Sequence, residues 1–328
     1  VVVEGSVSGI VSLGDNASNT QVHLPEAATR PVAEVLAPAG LVNVPDPAGQ
    51  VFVGRHDDLQ ALADRLGGVV VAAMHGLGGI GKSTLAAHYA LACRDSVNPV
   101  WWITADSPAA IELGLAGLTV ALQPELKLAE VPLEMLAERA IGWLSAHRGW
   151  LLIADNVTDP ADVGRLLART VAGNGQVLIT SRLGEGWHRT PAHLLHLDVL
   201  SEDEAIDLLI QIATYGTSAH EGSGPRRPAA HDLDAERWQG IRELVEELGW
   251  LPLALDQVGA YMRQNDLSVA AYRRLLARYP ATMYDRAARG SDAERTIARI
   301  WRVTLDTLGA GSAHTPSSAL ICSVRDSA

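Results

Sequence analysis

The residues with the clearest chemical purpose lie in one run, GLGGIGKST, from Gly76 to Thr84. Gly76, Gly81, Lys82 and Ser83 fit the spacing G-x-x-x-x-G-K-[ST], which builds a cradle for phosphate. Gly76, Gly78, Gly79 and Gly81 leave no Cβ in the way, so backbone N–H groups, that of Ile80 among them, can converge on phosphate oxygens. Lys82 offers a mobile positive charge for β- and γ-phosphates, and Ser83 a hydroxyl oxygen for Mg²⁺. Thr84 can hydrogen-bond an earlier phosphate. Two more strand-like runs end in polar groups. WLLIADNV (150–157) carries Asp155 after four apolar residues and an alanine, suited to holding the hydration shell of Mg²⁺. GQVLITSR (175–182) ends in Thr180, Ser181 and Arg182, and Arg182 reads either as a phosphate sensor or as an ordinary solvated arginine.

The elements that must position these groups follow from the flanks. VVVAAMH (69–75) is short, apolar and β-branched, as buried parallel strands are, while LAAHYALACR (85–94) has no Gly or Pro and continues as a helix. PVWWITAD (99–106) predicts a second strand, with Trp101 and Trp102 as packing residues. Apolar residues at helical spacing return over 109–122 and 132–147. Strands alternating with helices predict a parallel sheet, and ligands of such sheets lie at the carboxyl ends of the strands. After Leu200 helices take over. Ser201 to Glu204 form a capping box ahead of AIDLLIQIAT. A Gly/Ser/Pro-rich loop spans about 216–230, and DLDAERWQGIRELVEELG predicts an amphipathic helix. Gly249-Trp250-Leu251-Pro252 breaks it, and further helices are predicted from LALDQVGAYMRQ, over 268–278 and over 291–308. Ahead of Val51, residues 1–24 suggest a marginal hairpin and Pro25–Gln50 a linker. A helix with Leu59, Leu62 and Leu66 on one face follows.

Composition narrows the class. The formal net charge of −12 argues against a nucleic-acid-binding face or a polybasic membrane patch. The two cysteines, Cys93 and Cys322, form neither a disulfide framework nor a zinc motif and suit a reducing, cytoplasmic setting. His75 interrupts the longest apolar run, which is too short to cross a membrane.

In this order the motifs resemble those of the NB-ARC (AP-ATPase) branch of the STAND P-loop NTPases, as found in bacterial regulatory proteins. FVGR (52–55) is similar to the family's first motif, which implies that Val53, Gly54 and Arg55 line an adenine pocket. LLIADN resembles its Walker B and LITSR its sensor strand, with Arg182 on the γ-phosphate. GWLPLAL (249–255) resembles its GLPLAL motif, with Pro252 near bound ADP. The resemblance implies an α/β fold, a three-layer P-loop NTPase sandwich with a parallel sheet, followed by a smaller all-helical domain. It divides the chain into an N-terminal arm (1–50, partly disordered), a nucleotide-binding domain (51–198), a helical domain (199–290) and the start of a winged-helix domain with an irregular tail (291–328). It also implies ADP/ATP and Mg²⁺ as cofactors, with Lys82, Asp155, Asn156 and Arg182 in the chemistry and Ser83 and Asp155 on the metal. Two departures stand out. Asn156 occupies a position where many relatives carry a second acid, so slow hydrolysis is expected. TIARIWRVTLDTL (296–308) looks like the first helix of a winged-helix domain, and the chain reads as truncated there. The leading expectation is a regulatory switch that couples nucleotide state to conformation, self-association or an effector protein. An ADP-binding scaffold without hydrolysis, and a P-loop kinase or constitutive ATPase, remain as alternatives.

Overall fold

The computed structural model describes residues 26–46, 51–66, 71–128, 131–170, 175–189, 192–214, 236–278 and 300. Five strands form a parallel sheet: β1 (Val71–His75), β2 (Val100–Thr104), β3 (Leu151–Val157), β4 (Gln176–Ser181) and β5 (Ala192–His196). Their order is β2-β3-β4-β1-β5 and every pairing is parallel. The central strands are apolar on both faces, as a sheet covered by helices requires: Leu151, Leu152, Ile153 and Ala154 are all buried. The crossover helices are α3 (Lys82–Cys93), α4 (Pro108–Leu122), α5 (Leu133–Ala146) and α6 (Pro160–Thr170), preceded in the chain by α1 (Glu26–Thr29) and α2 (His56–Leu66). Helix α4 starts at Ser107, whose hydroxyl accepts the Ala110 N–H, with Pro108 at the first helical position. Two buried tryptophans keep their indole N–H groups satisfied: Trp101 donates to Gly114 O and Trp150 to Leu144 O, both at 3.0 Å.

The described chain divides into two compact units. One comprises residues 26–46, His56–Gly76 and Lys82–Leu197. The other comprises residues 51–55, Leu77–Gly81 and the chain from Asp198 on. The second unit is helical: α7 (Glu202–Thr214), α8 (Ile241–Glu247), α9 (Pro252–Gln264) and α10 (Val269–Leu276). Its core joins Leu208, Leu209, Ile212, Leu244, Leu255 and Tyr272. Helix α9 lies close to α7 because Gly259 has no side chain; a Cβ there would meet Ile212 Cγ2 at 2.8 Å.

The structure corrects two sequence expectations, adds a strand, and leaves others outside the described residues. Residues 26–46 are not a bare linker, because they are bonded along the exposed edge of the sheet. Val42 bridges Val100 in parallel, and the Asn43 amide pairs with Trp102 like a backbone group, accepting its N–H at 2.6 Å and donating to its carbonyl at 3.0 Å. An edge strand leaves unpaired N–H and C=O groups that need partners, which explains the attachment. The amphipathic helix predicted before Gly249 starts only at Ile241, because Gly240 is left-handed (φ 85°). Strand β5 went unpredicted: AHLLH is short and histidine-flanked, and it becomes a strand by pairing with β1 in register. The hairpin of residues 1–24, the loop of 216–230 and the winged-helix start, apart from buried Ile300, lie outside the described residues.

One arginine binds much of the first part of the arm. Arg139 of α5 donates to the carbonyls of Ala27, Ala28 and Arg30 at 3.2, 3.0 and 2.7 Å, and to Gln123 Oε1 at 2.6 Å. Trp143 adds a bond to Val35 O at 2.7 Å. Hydrogen bonds involving a charged group contribute about 1.5–3 kcal/mol. Arg139→Ala should therefore lower unfolding stability by about 2 kcal/mol in denaturant titration and speed proteolysis within residues 26–46. Unchanged cleavage would show that the edge pairing and the Trp143 bond hold the arm without Arg139.

Candidate functional site

The chemically capable residues gather at the carboxyl ends of the strands. In the first unit, β1 ends at His75, and Gly76 opens the loop that closes at Lys82, the first residue of α3. Lys82 Nζ donates to Gly76 O at 2.8 Å. Burial lowers the Lys82 pKa to about 8, with Arg182 adding repulsion and Asp155 opposing the shift. Ser83 donates its hydroxyl to Asp155 Oδ1 at 2.6 Å. Thr84 lies in the first turn of α3, partly buried, and Arg182 follows β4 as an exposed residue.

Asp155 owes its position to a bulge. Ala154 pairs with Ile179 and Val157 with Ser181, so Asp155 and Asn156 together stand opposite Thr180 alone. Asn156 takes the extra residue in a left-handed conformation (φ 63°), which asparagine tolerates better than most side chains. Its N–H donates to Thr180 Oγ1 at 2.8 Å, and Thr180 donates in turn to Asp155 Oδ1 at 2.5 Å. Thr180 is only 1% exposed, so this hydroxyl is committed to orienting the carboxylate. β4 lies between the P-loop strand and the acid strand, which is why its last residues reach Asp155.

In the second unit, Leu77–Gly81 are held from the carbonyl side. Arg55 Nη2 donates to Ile80 O at 3.0 Å, and Leu253 N–H donates to Gly79 O at 3.2 Å. In a trans peptide the C=O and the following N–H point in opposite directions. Holding Gly79 O and Ile80 O therefore turns the N–H groups of Ile80 and Gly81 the other way, free to face an anion. Left-handed angles at Gly79 (76°) and Gly81 (93°) make this path possible. Gly78, also expected to keep this loop free of side chains, has no left-handed backbone of its own. It stands half-buried at the start of the turn, before the left-handed pair. The bonds that orient the loop fall on Gly79 and Ile80, so what Gly78 offers a ligand is its backbone N–H and the space a side chain would take. The Ile80 side chain is core, so only its backbone is available to a ligand. Val53 packs against the helical core, Gly54 is left-handed, and Arg55 is buried. Pro252 opens α9, 3.8 Å from where a Cβ on Gly81 would lie.

The donor set fits a phosphate–Mg²⁺ group. Ser83 and Asp155 offer two hard oxygens, and magnesium in phosphate sites takes one or two protein ligands beside water and phosphate. Lys82 and Arg182 repel one another, a strain that an anionic ligand relieves. Among the described residues no three His, Cys, Asp or Glu side chains cluster as a metal site of their own, and no helix is long and apolar enough to cross a membrane. Sequence reasoning named Thr180 only as a polar strand end, and it missed Glu204 and Leu253 as contacts of these loops. Strand register and helix packing bring them in, and neither is written in local spacing.

No family model matches the chain. It is 32% identical over 244 residues to "Regulatory protein AfsR" of Streptomyces griseus, covering 69% of this chain and 22% of that protein. It is 25% identical over 267 residues to a "Nucleotide-binding leucine-rich repeat (NLR)-like protein" of Hyaloscypha variabilis, covering 73% of this chain and 25% of that one. The chain thus spans about a quarter or less of these relatives. Among solved structures, a signal transduction ATPase with numerous domains carrying a tetratricopeptide repeat sensor, from Pyrococcus horikoshii, superposes with TM-score 0.38 at 16% identity, covering 76% of this chain and 39% of that one.

The charge balance makes a direct prediction. In the ligand-free protein Lys82 should titrate near 8 instead of its ordinary value near 10.5. Arg182→Ala should raise that value and Asp155→Asn should lower it further, read from the Lys82 Cε chemical shift by NMR. Because the folded pKa lies below the unfolded one, the folded state carries the full cost below about 8, and this residue's contribution improves as pH rises toward 10.5. A normal titration, insensitive to both substitutions, would put the ammonium in free solvent.

Proposed function

We propose that this chain, a STAND/NB-ARC-like P-loop NTPase, is a regulatory switch that binds ADP or ATP with Mg²⁺ and hydrolyses ATP slowly. The observation that carries this reading is the gathering of Lys82, Ser83, Asp155 and Arg182 at the strand ends, with two cations and a pair of hard oxygens. In the proposed site the N–H groups of Gly76–Gly81, Gly78 included, and the Lys82 ammonium hold the β- and γ-phosphates. Lys82 exchanges its bond to Gly76 O for phosphate oxygen as it does so. Ser83 and Asp155 hold Mg²⁺, which when bound neutralises charge on the phosphates. Arg182 meets the γ-phosphate, the group that distinguishes the two nucleotides. Val53, Gly54, Arg55 and Pro252 serve the adenine end, and the nucleotide-binding domain extends over 51–198 with the helical domain after it.

A ligand shifts a conformational equilibrium only through contacts that differ between the states. Arg182 and Pro252 are the proposed differential contacts, and an effector protein or further copies of the chain are the proposed readers of the outcome. The name of the Streptomyces relative supports a regulatory role. An ADP-binding scaffold without hydrolysis is the second reading, favoured by Asn156, whose amide cannot accept a proton from water.

Two measurements test these readings. Purified protein should carry ADP at near-stoichiometric occupancy by chromatography of the denatured supernatant, and Lys82→Ala should lose ATP binding in calorimetry while remaining folded. An empty site, or unchanged ATP affinity in folded Lys82→Ala, would overturn the nucleotide reading. Asn156→Asp keeps a residue type that accepts the left-handed backbone and introduces a proton acceptor. General-base assistance is worth ~10²–10⁴-fold when well placed, so Asn156→Asp should visibly raise phosphate release. A flat rate would support the scaffold.

A further inference from the structure

We infer that Glu204 is a positioning residue for the nucleotide: its carboxylate pins the Val53–Arg55 loop, and through Arg55 it sets the orientation of the phosphate loop. This rests on the nucleotide reading above. Glu204 stands at the third position of α7 and serves two loops at once. One oxygen, Oε2, accepts from the Ser201 N–H at 2.9 Å and the Ser201 hydroxyl at 2.8 Å, the reciprocal arrangement of a capping box. The other, Oε1, accepts the backbone N–H of Arg55 at 3.2 Å, across 149 residues of chain.

The second bond is not part of helix capping, and the neighbouring geometry is built around it. Gly54 and Arg55 are both left-handed, at φ 70° and 63°. Arginine adopts that conformation reluctantly, so an external partner must hold it. A Cβ on Gly54 would lie 2.1 Å from Glu204 Oε1, so the glycine is what lets the carboxylate reach the Arg55 N–H. With its backbone fixed there, the buried Arg55 side chain donates to Ile80 O at 3.0 Å. That bond turns the Gly81 N–H away from Arg55 and toward the face available to phosphate. The order of dependence is therefore Glu204, Arg55 backbone, Arg55 guanidinium, Ile80 carbonyl, Gly81 N–H.

A capping box works with glutamine as well as glutamate, because it needs a single acceptor oxygen. Holding Arg55 as well requires both oxygens. Glu204→Gln keeps shape and size but leaves one N–H group facing an amide NH₂. The test titrates ADP by calorimetry into the unsubstituted protein, Glu204→Gln, Arg55→Ala and the double variant, with thermal melts of each. Glu204→Gln is expected to weaken ADP binding about tenfold while the fold survives, in line with loss of one hydrogen bond to a charged acceptor. In the Arg55→Ala background the same change should have no further effect, because its route to the phosphate loop is already gone. Ser201→Ala, which disturbs the cap but not the Arg55 bond, should leave ADP affinity within about twofold while lowering the melting temperature. Wild-type affinity in Glu204→Gln, an undiminished loss in the Arg55→Ala background, or an equal loss in Ser201→Ala would each overturn the inference. Absence of ADP binding by the unsubstituted protein would overturn the nucleotide reading itself, and so is distinguishable from those outcomes.

Discussion

A loop of backbone N–H groups can hold phosphate only if its carbonyl oxygens are directed elsewhere, because every trans peptide presents the two in opposite senses. Glycines make such a path accessible, but they do not choose it. In this protein the choice is made by donors that occupy the carbonyls: Arg55 on Ile80 and the first turn of α9 on Gly79. Both donors belong to the same compact unit as Leu77–Gly81, so this stretch of the loop is shaped by helical-unit residues far from it in sequence. The path of the loop is thus a property of the packing around Arg55 and Pro252 as much as of the glycine run.

Electrostatics in the other unit follow a complementary rule. Lys82 is partly buried beside Arg182, and the nearby anion Asp155 offsets only part of the penalty. Such a site is left with excess positive potential, which a phosphate group would neutralise. Asp155 must also keep its carboxylate aimed, and an ordinary strand would not do this. The bulge opposite Thr180 supplies the turn, Asn156 accepts the left-handed backbone it demands, and the Thr180 hydroxyl ties both residues together. Asn156 is therefore suited to the backbone whatever its side chain does for hydrolysis.

The sheet edge shows the same economy of polar groups. The order β2-β3-β4-β1-β5 leaves β2 at an edge, and Val42 and Asn43 pair with it. Pro38 and Pro45 on either side of that segment lack the N–H a ladder uses, yet an asparagine amide reproduces one donor and one acceptor of a strand at the required place. Arg139 and Trp143 then bind the rest of the arm through its carbonyls, where side-chain identity in the arm matters little.

Much was determined by sequence alone. The apolar runs around 71–75, 151–154 and 177–179 read as strands, GLGGIGKST between a strand and an alanine-rich helix read as a P-loop pattern, and the change to helices after Leu200 was plain from periodicity. These are local signals, carried by residue type and spacing within one element. Tertiary structure decided what depends on partners across the chain. It made AHLLH a strand by placing it beside β1, cut the helix before Gly249 to begin after left-handed Gly240, and converted an apparent linker into an edge covering. Within the glycine run it separated Gly79 and Gly81, whose left-handed backbone the path requires, from Gly78, which looks the same in sequence. It also gave Thr180 and Glu204 their tasks. A threonine at a strand end and a glutamate in a capping box look ordinary in sequence, because the Asp155 carboxylate and the Arg55 N–H they bind are 25 and 149 residues away. Spacing along the chain carries no record of such contacts; strand register and helix packing create them.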